Sequence, residues 1–421
     1  MYYLNSDNYN IEKNRPQQEI KSRNLKLLFD MIGSGCVTRT TLTQASGLSA
    51  SAVTMLIDEL ISNNYVSEAG PGMKHNGGGR RQIPLKINPA GAQIPVFSIS
   101  EYGIIFTLYD LQYNILERIF SIYPKFPESD SQDNAIDVGS LYADIIENVL
   151  LEKTLLFDKD KAPAILISYP GAYHSDLNIF LMTGFNTTFP EETLVKLEER
   201  IGIPLFIGNA SNALAYAEKK YLLTHNADAE EMIYVNVCGG VGSGIVYKDR
   251  LMPLKGELSG EIGHMTIEVG GRSCPCGNKG CLERYVSINA IIHDVYSACL
   301  KAGDTEKANE LINLPSDMAL AAIGRYYNAD VPPVAEIIDA AASKLFAGIY
   351  SIVNVTGIRR VVIGGLKVLG DKFLNKVNTV IDGNRSALLM KSISISYGDV
   401  SPDADSIGIA QYYIDKIFTI K

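Results

Sequence analysis

Long apolar runs are missing from this sequence. No stretch approaches the eighteen or so uninterrupted apolar residues that a membrane-spanning helix requires. The polar opening MYYLNSDNYNIEKNRPQQEI also lacks the basic-then-apolar order of a secretory leader. Both absences place the chain in the cytoplasm, where thiols stay reduced. Tryptophan is absent and cysteine is scarce, with six in 421 residues. The chain has enough apolar residues to fold without covalent staples, and its length calls for two or three domains. A large basic excess is missing too, since the net charge is −9. That charge is unevenly spread. Residues 1–92 hold ten Lys and Arg against seven Asp and Glu, a balance of +3, which leaves the remainder at −12. A mildly basic module on an acidic body is the distribution that attraction to phosphate favours.

What is present begins with that module. QEIKSRNLKLLFDMI (18–32) sets Ile20, Leu25, Leu27, Leu28, Met31 and Ile32 on an approximately helical stripe. Thr38 followed by Thr41 reads as a helix start, Gly47 as its end, and Ser49 as the cap of a second helix carrying Val53, Ile57, Leu60 and Ile61. A helix, a glycine turn and a helix of this size predict a helix-turn-helix. The following YVSEAGPGMKHNGGGRRQIPLKINP predicts strand, Gly-rich tip and strand, a wing bearing Lys74, His75, Arg80 and Arg81. The expected DNA contacts are Arg39, Ser49, Ser51, Thr54, Lys74, Arg80 and Arg81. The second helix opens Ser49-Ala50-Ser51-Ala52-Val53-Thr54-Met55, with no Arg, Lys, Asn or Gln for bidentate base contacts. Readout would rest on hydroxyls and on thymine methyls, with Arg39 and the wing on phosphate. Three helices packed on one another with no nucleic acid involved would read the same way.

From residue 95 strands and helices alternate. Two lobes are expected, each opening on a three-strand meander, with a buried strand in 162–173 that ends in Pro170-Gly171, a strand at 204–209 and helices at 137–153 and 210–223. Gly239-Gly240-Val241-Gly242-Ser243-Gly244 invites a dinucleotide reading, but IVYKDRLM follows as a strand and not as a helix. It is a Gly-rich β-turn that either cradles phosphate or simply turns tightly.

Cys274, Cys276 and Cys281 lie in SCPCGNKGCLE, with Gly277 and Gly280 letting the chain fold back. Three soft ligands need a fourth for tetrahedral zinc, and His264 is the nearest histidine. Four protein ligands leave no open position, so such a zinc would be structural. A redox pair is the competing reading, but C-x-C lacks the usual geometry.

G-E-I-G-H followed by C-x-C-G-N-x-G-C-L-E resembles the signature of the ROK family, which includes repressors and sugar kinases. N-L-K-L-L…T-R-T-T-L…G-L-S-x-S-x-V…G-G-R-R…L-x-I-N-P is similar to the winged helix-turn-helix of its repressor branch. The resemblance covers nearly the whole chain after about residue 18. It implies an α/β fold in which a winged helix-turn-helix precedes a two-lobed actin/hexokinase-like (ribonuclease H-like) body. It also implies a structural Zn2+ on Cys274, Cys276, Cys281 and His264, and a homodimer or homotetramer. Sugar hydroxyls would be held by Glu261, Glu283, His264, Asn186 and Asn209. The domains expected are an arm at 1–17, the DNA-binding module at 18–92, a first lobe at 93–212 rejoined by a C-terminal helix at 402–418, and a second lobe at 213–401 with the zinc loop.

Two kinase features are absent. The family's Asp-x-Gly-Gly-Thr phosphate turn is matched here by Ser98-Ile99-Ser100-Glu101-Tyr102, and its catalytic Asp by Ala210 within Gly208-Asn209-Ala210-Ser211-Asn212-Ala213. Alanine accepts no proton, and Glu101 repels phosphate. The expected function is a repressor of carbohydrate-utilisation genes that binds operator DNA and a sugar effector, with no catalytic residue. The alternatives are a constitutive DNA-binding protein with a vestigial sugar pocket, an active sugar kinase, or an interaction protein that binds no DNA.

Overall fold

The computed structural model describes residues 2–3, 16–35, 38–70, 82–100, 103–122, 138–174, 179–182, 187–252, 260–379 and 393–417. After the short β1 (Tyr2–Tyr3) come α1 (Pro16–Gly33), α2 (Arg39–Ser46), α3 (Ala50–Ser62), β2 (Val66–Glu68) and β3 (Leu85–Ile87). A capping box opens α2. The Thr38 hydroxyl accepts from the Thr41 N–H at 3.1 Å while the Thr41 hydroxyl accepts from the Thr38 N–H at 3.1 Å. Gly47 closes the helix at φ 72°, a left-handed conformation that costs glycine little. The Ser49 hydroxyl then caps α3 by accepting from the Ala52 N–H at 3.2 Å. Leu28, Phe29, Leu42, Val53, Leu56, Ile57, Leu60, Val66 and Leu85 are buried together in this module. β2 and β3 pair antiparallel, Val66 opposite Ile87.

The body continues with β4 (Gln93–Ile99), β5 (Gly103–Asp110), β6 (Ile115–Ile122), α4 (Val138–Lys153), β7 (Ile165–Tyr169), β8 (Ala172–His174), β9 (Ile179–Met182), β10 (Thr187–Pro190), α5 (Glu191–Ile201), β11 (Leu205–Asn209) and α6 (Ala210–Thr224). It goes on through β12 (Met232–Val237), β13 (Val241–Tyr247), β14 (Arg250–Leu251), α7 (Glu283–Val286), α8 (Ile288–Lys301), α9 (Thr305–Asn313), α10 (Ser316–Asn328) and α11 (Val334–Thr356). The last elements are β15 (Arg360–Gly364), α12 (Gly370–Thr379), β16 (Ser394–Tyr397) and α13 (Asp405–Ile417). The strand expected to end in Pro170-Gly171 is β7, which stops at Tyr169, because proline has no N–H to give a sheet ladder; β8 follows from Ala172.

The chain divides into two compact units. Residues 1–168, 192–208 and 409–421 form one, and residues 169–191 and 209–408 form the other. The first therefore holds the helix-turn-helix together with the sheet β1-β11-β7-β4-β5-β6. The second holds the sheet β14-β13-β12-β15-β16, with β12, β15 and β16 parallel, and the hairpins of β8, β9 and β10. Its core is the apolar run of β12 and β15 against α8, α10 and α11, with Val235, Ile363, Ile323, Leu345 and Ile349 all buried.

Candidate functional site

The glycine run 239–244 turns β12 into β13, and packing accounts for three of its glycines. A Cβ on Gly244 would stand 2.5 Å from the Ala215 Cβ, and one on Gly242 2.5 Å from the Ser211 Oγ, so β13 lies directly on α6. A Cβ on Gly240 would meet the Glu283 Oε2 at 2.8 Å. At these positions α6 and Glu283 occupy the space that a side chain would take.

Glu283 begins α7, and its Oε2 accepts the Val241 N–H at 3.0 Å. Glu261 lies three residues before His264 and is mostly buried, with its side chain 11% exposed. Burial first, and then the Glu283 carboxylate, push Glu261 up to about 7. Its Oε2 stands 4.0 Å from the His264 Nε2. The other ring nitrogen, Nδ1, faces the Cys274 Sγ at 3.6 Å. One imidazole therefore joins a carboxylate pair on one side to the thiols on the other. The two carboxylates together present hydrogen-bond acceptors suited to neutral hydroxyls.

The ligand atoms of His264, Cys274, Cys276 and Cys281 all lie within 4.8 Å of one another, and the Cys276 and Cys281 sulfurs are 3.7 Å apart. Tetrahedral zinc with Zn–S near 2.3 Å and Zn–N near 2.0–2.1 Å separates its ligand atoms by about 3.5–3.8 Å. The donor set and its spacing fit that ion. Short backbone bonds shape the loop: Cys274 N–H to Asn278 O at 2.9 Å, and Gly280 N–H to Arg272 O at 2.8 Å. Gly280 sits at φ 76°, and a Cβ there would stand 1.7 Å from the Glu268 carbonyl oxygen. Tyr285, two residues beyond Glu283, was not singled out from the sequence. Its hydroxyl accepts the Arg272 N–H at 2.9 Å, and its ring lies under Arg272 and Lys344 at 4.6 and 4.2 Å. The proximity of an aromatic to a basic loop in C-L-E-R-Y was the available signal.

Asn209 caps α6. Its Oδ1 accepts from the Ser211 and Asn212 N–H groups at 2.8 and 3.1 Å, and its Nδ2 donates to Gly171 O at 2.6 Å. One amide hydrogen remains for a ligand. Ala210 is the first residue of α6. Asn186 lies outside the described residues, as do Glu101 and Tyr102 of the hairpin turn.

On the DNA-binding module, Ser51, Thr54 and Met55 are exposed on α3, Met55 by 58%. The Thr54 hydroxyl donates to Ala50 O at 2.9 Å, and the Ser49 and Ser51 hydroxyls are 3.1 Å apart. Arg39, expected on phosphate, pairs its Nη1 with Glu68 at 2.9 Å and its Nη2 with Asp58 at 3.0 Å. It ties α2 to α3 and to β2. Asp58 and Glu68 were not weighed from the sequence, although their charge on a presumed phosphate-facing surface was a visible signal. Lys74, His75, Arg80 and Arg81 of the wing tip lie outside the described residues.

A family model, that of the ROK family, matches residues 156–402. The chain is 28% identical over 365 residues to a putative xylose repressor of Caldicellulosiruptor sp. strain Rt8B.4, covering 85% of this chain and 86% of that protein. It is 30% identical over 281 residues to the xylose repressor of Bacillus subtilis strain 168, covering 66% and 68%. Among solved structures it is similar to a ROK family transcriptional regulator described as a homologue of E. coli MLC protein. That match has a TM-score of 0.72 at 22% identity and covers 95% of this chain and 98% of that one. The fold is accordingly a winged helix-turn-helix followed by a two-lobed actin/hexokinase-like body.

Proposed function

The chain belongs to the ROK family, and from that premise we propose that it is a DNA-binding repressor of carbohydrate-utilisation genes whose body senses a sugar and does not phosphorylate one. The observation that carries the reading is the pairing, in one chain, of a capped helix-turn-helix with a body whose general-base position is Ala210. The relatives named as xylose repressors support the carbohydrate assignment. Glu261, Glu283 and the Nε2 side of His264 hold the sugar hydroxyls. Asn209 contributes its one remaining amide hydrogen, and Asn186 is a further candidate. Structural Zn2+ sits on His264, Cys274, Cys276 and Cys281, where it fixes the ring whose far nitrogen faces Glu261.

On DNA, Ser51 and Thr54 offer hydroxyls to base edges, with Ser49 at the helix N-terminus and Lys74, Arg80 and Arg81 on phosphate. Arg39 braces the module from within. A homodimer or homotetramer brings two modules to half-sites about 34–36 Å apart. The chain acts in the cytoplasm; among the described residues no helix is long and apolar enough to cross a membrane. A sugar that binds one state of the body more tightly shifts operator affinity by that difference.

Selection from a random DNA library followed by titration of the selected duplex with D-xylose, N-acetyl-D-glucosamine and D-glucose tests this. At least one sugar should change operator affinity by about fivefold or more. A selected operator that no sugar affects would leave the constitutive reading, which the near-complete use of the Asn209 amide favours.

A further inference from the structure

Resting on that reading of the cysteine loop, we propose that Tyr285 is a positioning residue, gripped by Arg272 and Lys344, that pre-forms the loop for its metal. Every residue involved lies in the second compact unit. Residues 267–272 and 280 are the root of the loop. The Gly280 N–H donates to Arg272 O at 2.8 Å, and the Ile267 N–H donates to Gly280 O at 2.9 Å. Cys274 leaves this root two residues after Arg272, and Cys281 follows Gly280 directly. Whatever fixes Arg272 therefore fixes the approach of two thiols. Beyond the root, 275–279 are all exposed, so apolar packing does not shape the tip.

Tyr285 is 6% exposed and lies against the root. Its hydroxyl accepts the Arg272 N–H at 2.9 Å and donates to the Glu268 carboxylate. A Cβ on Gly271 would stand 2.2 Å from that hydroxyl oxygen, so glycine there lets the phenol reach. The Arg272 guanidinium and the Lys344 ammonium lie 4.6 and 4.2 Å from the ring centroid, where the electron-rich ring attracts both. Each cation also has its own acid. Arg272 pairs with Asp294 of α8 at 2.8 Å, and Lys344 of α11 pairs with Glu268. These pairs lower the repulsion between two cations at one ring. Arg272 donates as well to Arg284 O at 2.8 Å. One turn along α11 from Lys344, a Cβ on Gly348 would stand 2.4 Å from the Leu282 Cδ2. Leu282 and Tyr285 thus seat α7 on α11. That helix has four residues and is too short to hold itself.

A loop already in shape loses less conformational freedom when its metal binds, and affinity rises accordingly. Competition between the full chain and a chromophoric chelator for Zn2+ reads this without sugar or DNA. Tyr285→Leu should weaken Zn2+ binding by about tenfold or more. Lys344→Met, which keeps the ring and removes one cation, should weaken it by roughly threefold. Tyr327→Leu is the control: it removes another buried tyrosine of the same unit, one with Lys372 4.3 Å from its ring centroid. It should leave Zn2+ affinity within about twofold of the parent. Circular dichroism melts establish which variants are folded, and Lys344→Met decides if Tyr285→Leu is not. Parental Zn2+ affinity in the deciding variant, an equal loss in Tyr327→Leu, or a parent chain that takes up no Zn2+ overturns the proposal. Sugar sensing stands or falls separately, on the operator titration.

Discussion

Arg39 leaves the first turn of α2 and reaches Asp58 and Glu68 at 3.0 and 2.9 Å. A guanidinium at the start of a helix-turn-helix is the type of residue that contacts phosphate, and nothing local to Arg39 says that two carboxylates converge on it. Asp58 is nineteen residues away and Glu68 twenty-nine, on different elements. Both acids are substantially exposed, so the cluster contributes on the order of 1 kcal/mol or less to stability. Arg39→Ala should therefore lower the melting temperature slightly and leave the salt dependence of operator binding unchanged. A phosphate contact would instead reduce the log–log salt slope by about one. Fluorescence anisotropy across a salt series distinguishes the two. Asn209 adds a related point: its sugar-binding expectation came from the family resemblance, and in the structure its amide also caps the helix N-terminus behind it.

The elements were more legible than their partners. Thr38, Gly47 and Ser49 marked the ends of α2 and α3 because capping is local chemistry, satisfied within three or four residues. The cysteine loop was legible for a similar reason, since the three thiols of the candidate metal site are close in sequence and only His264 comes from outside. The ligand spacing fits zinc, and the loop has little apolar packing of its own, with Cys276 and most of 268–280 exposed. Removing bound metal with a strong chelator should lower the melting temperature by roughly 5–10 °C. Gly280→Ala should do comparable damage even with zinc supplied, because its Cβ would stand 1.7 Å from the Glu268 carbonyl oxygen. Differential scanning calorimetry reads both effects. The end of β7 at Pro170-Gly171 was legible too, because a residue that cannot donate to a ladder ends the strand there.

At the scale of the whole chain, the first unit holds a contact that no motif records, that of Lys26 in α1 with Asp415 in α13. A coupled ADP-release assay with ATP and the same three sugars should give the blank rate. Ala210→Asp should not restore turnover, since Ser98-Ile99-Ser100-Glu101-Tyr102 still offers no glycine turn for phosphate. The amino-acid sequence carried the family signature, the helix-turn-helix, the grouping of three cysteines with His264 and the alanine at 210, because each depends on residue types at short, fixed spacings. Only the tertiary structure decided that Arg39 is engaged within its own module and that the glycines of 240–244 make room for α6 and Glu283. It also decided that Glu261 is pushed up to about 7 and that Lys26 meets Asp415. Those facts depend on which distant groups share a small volume, and chain folding sets that where local spacing does not.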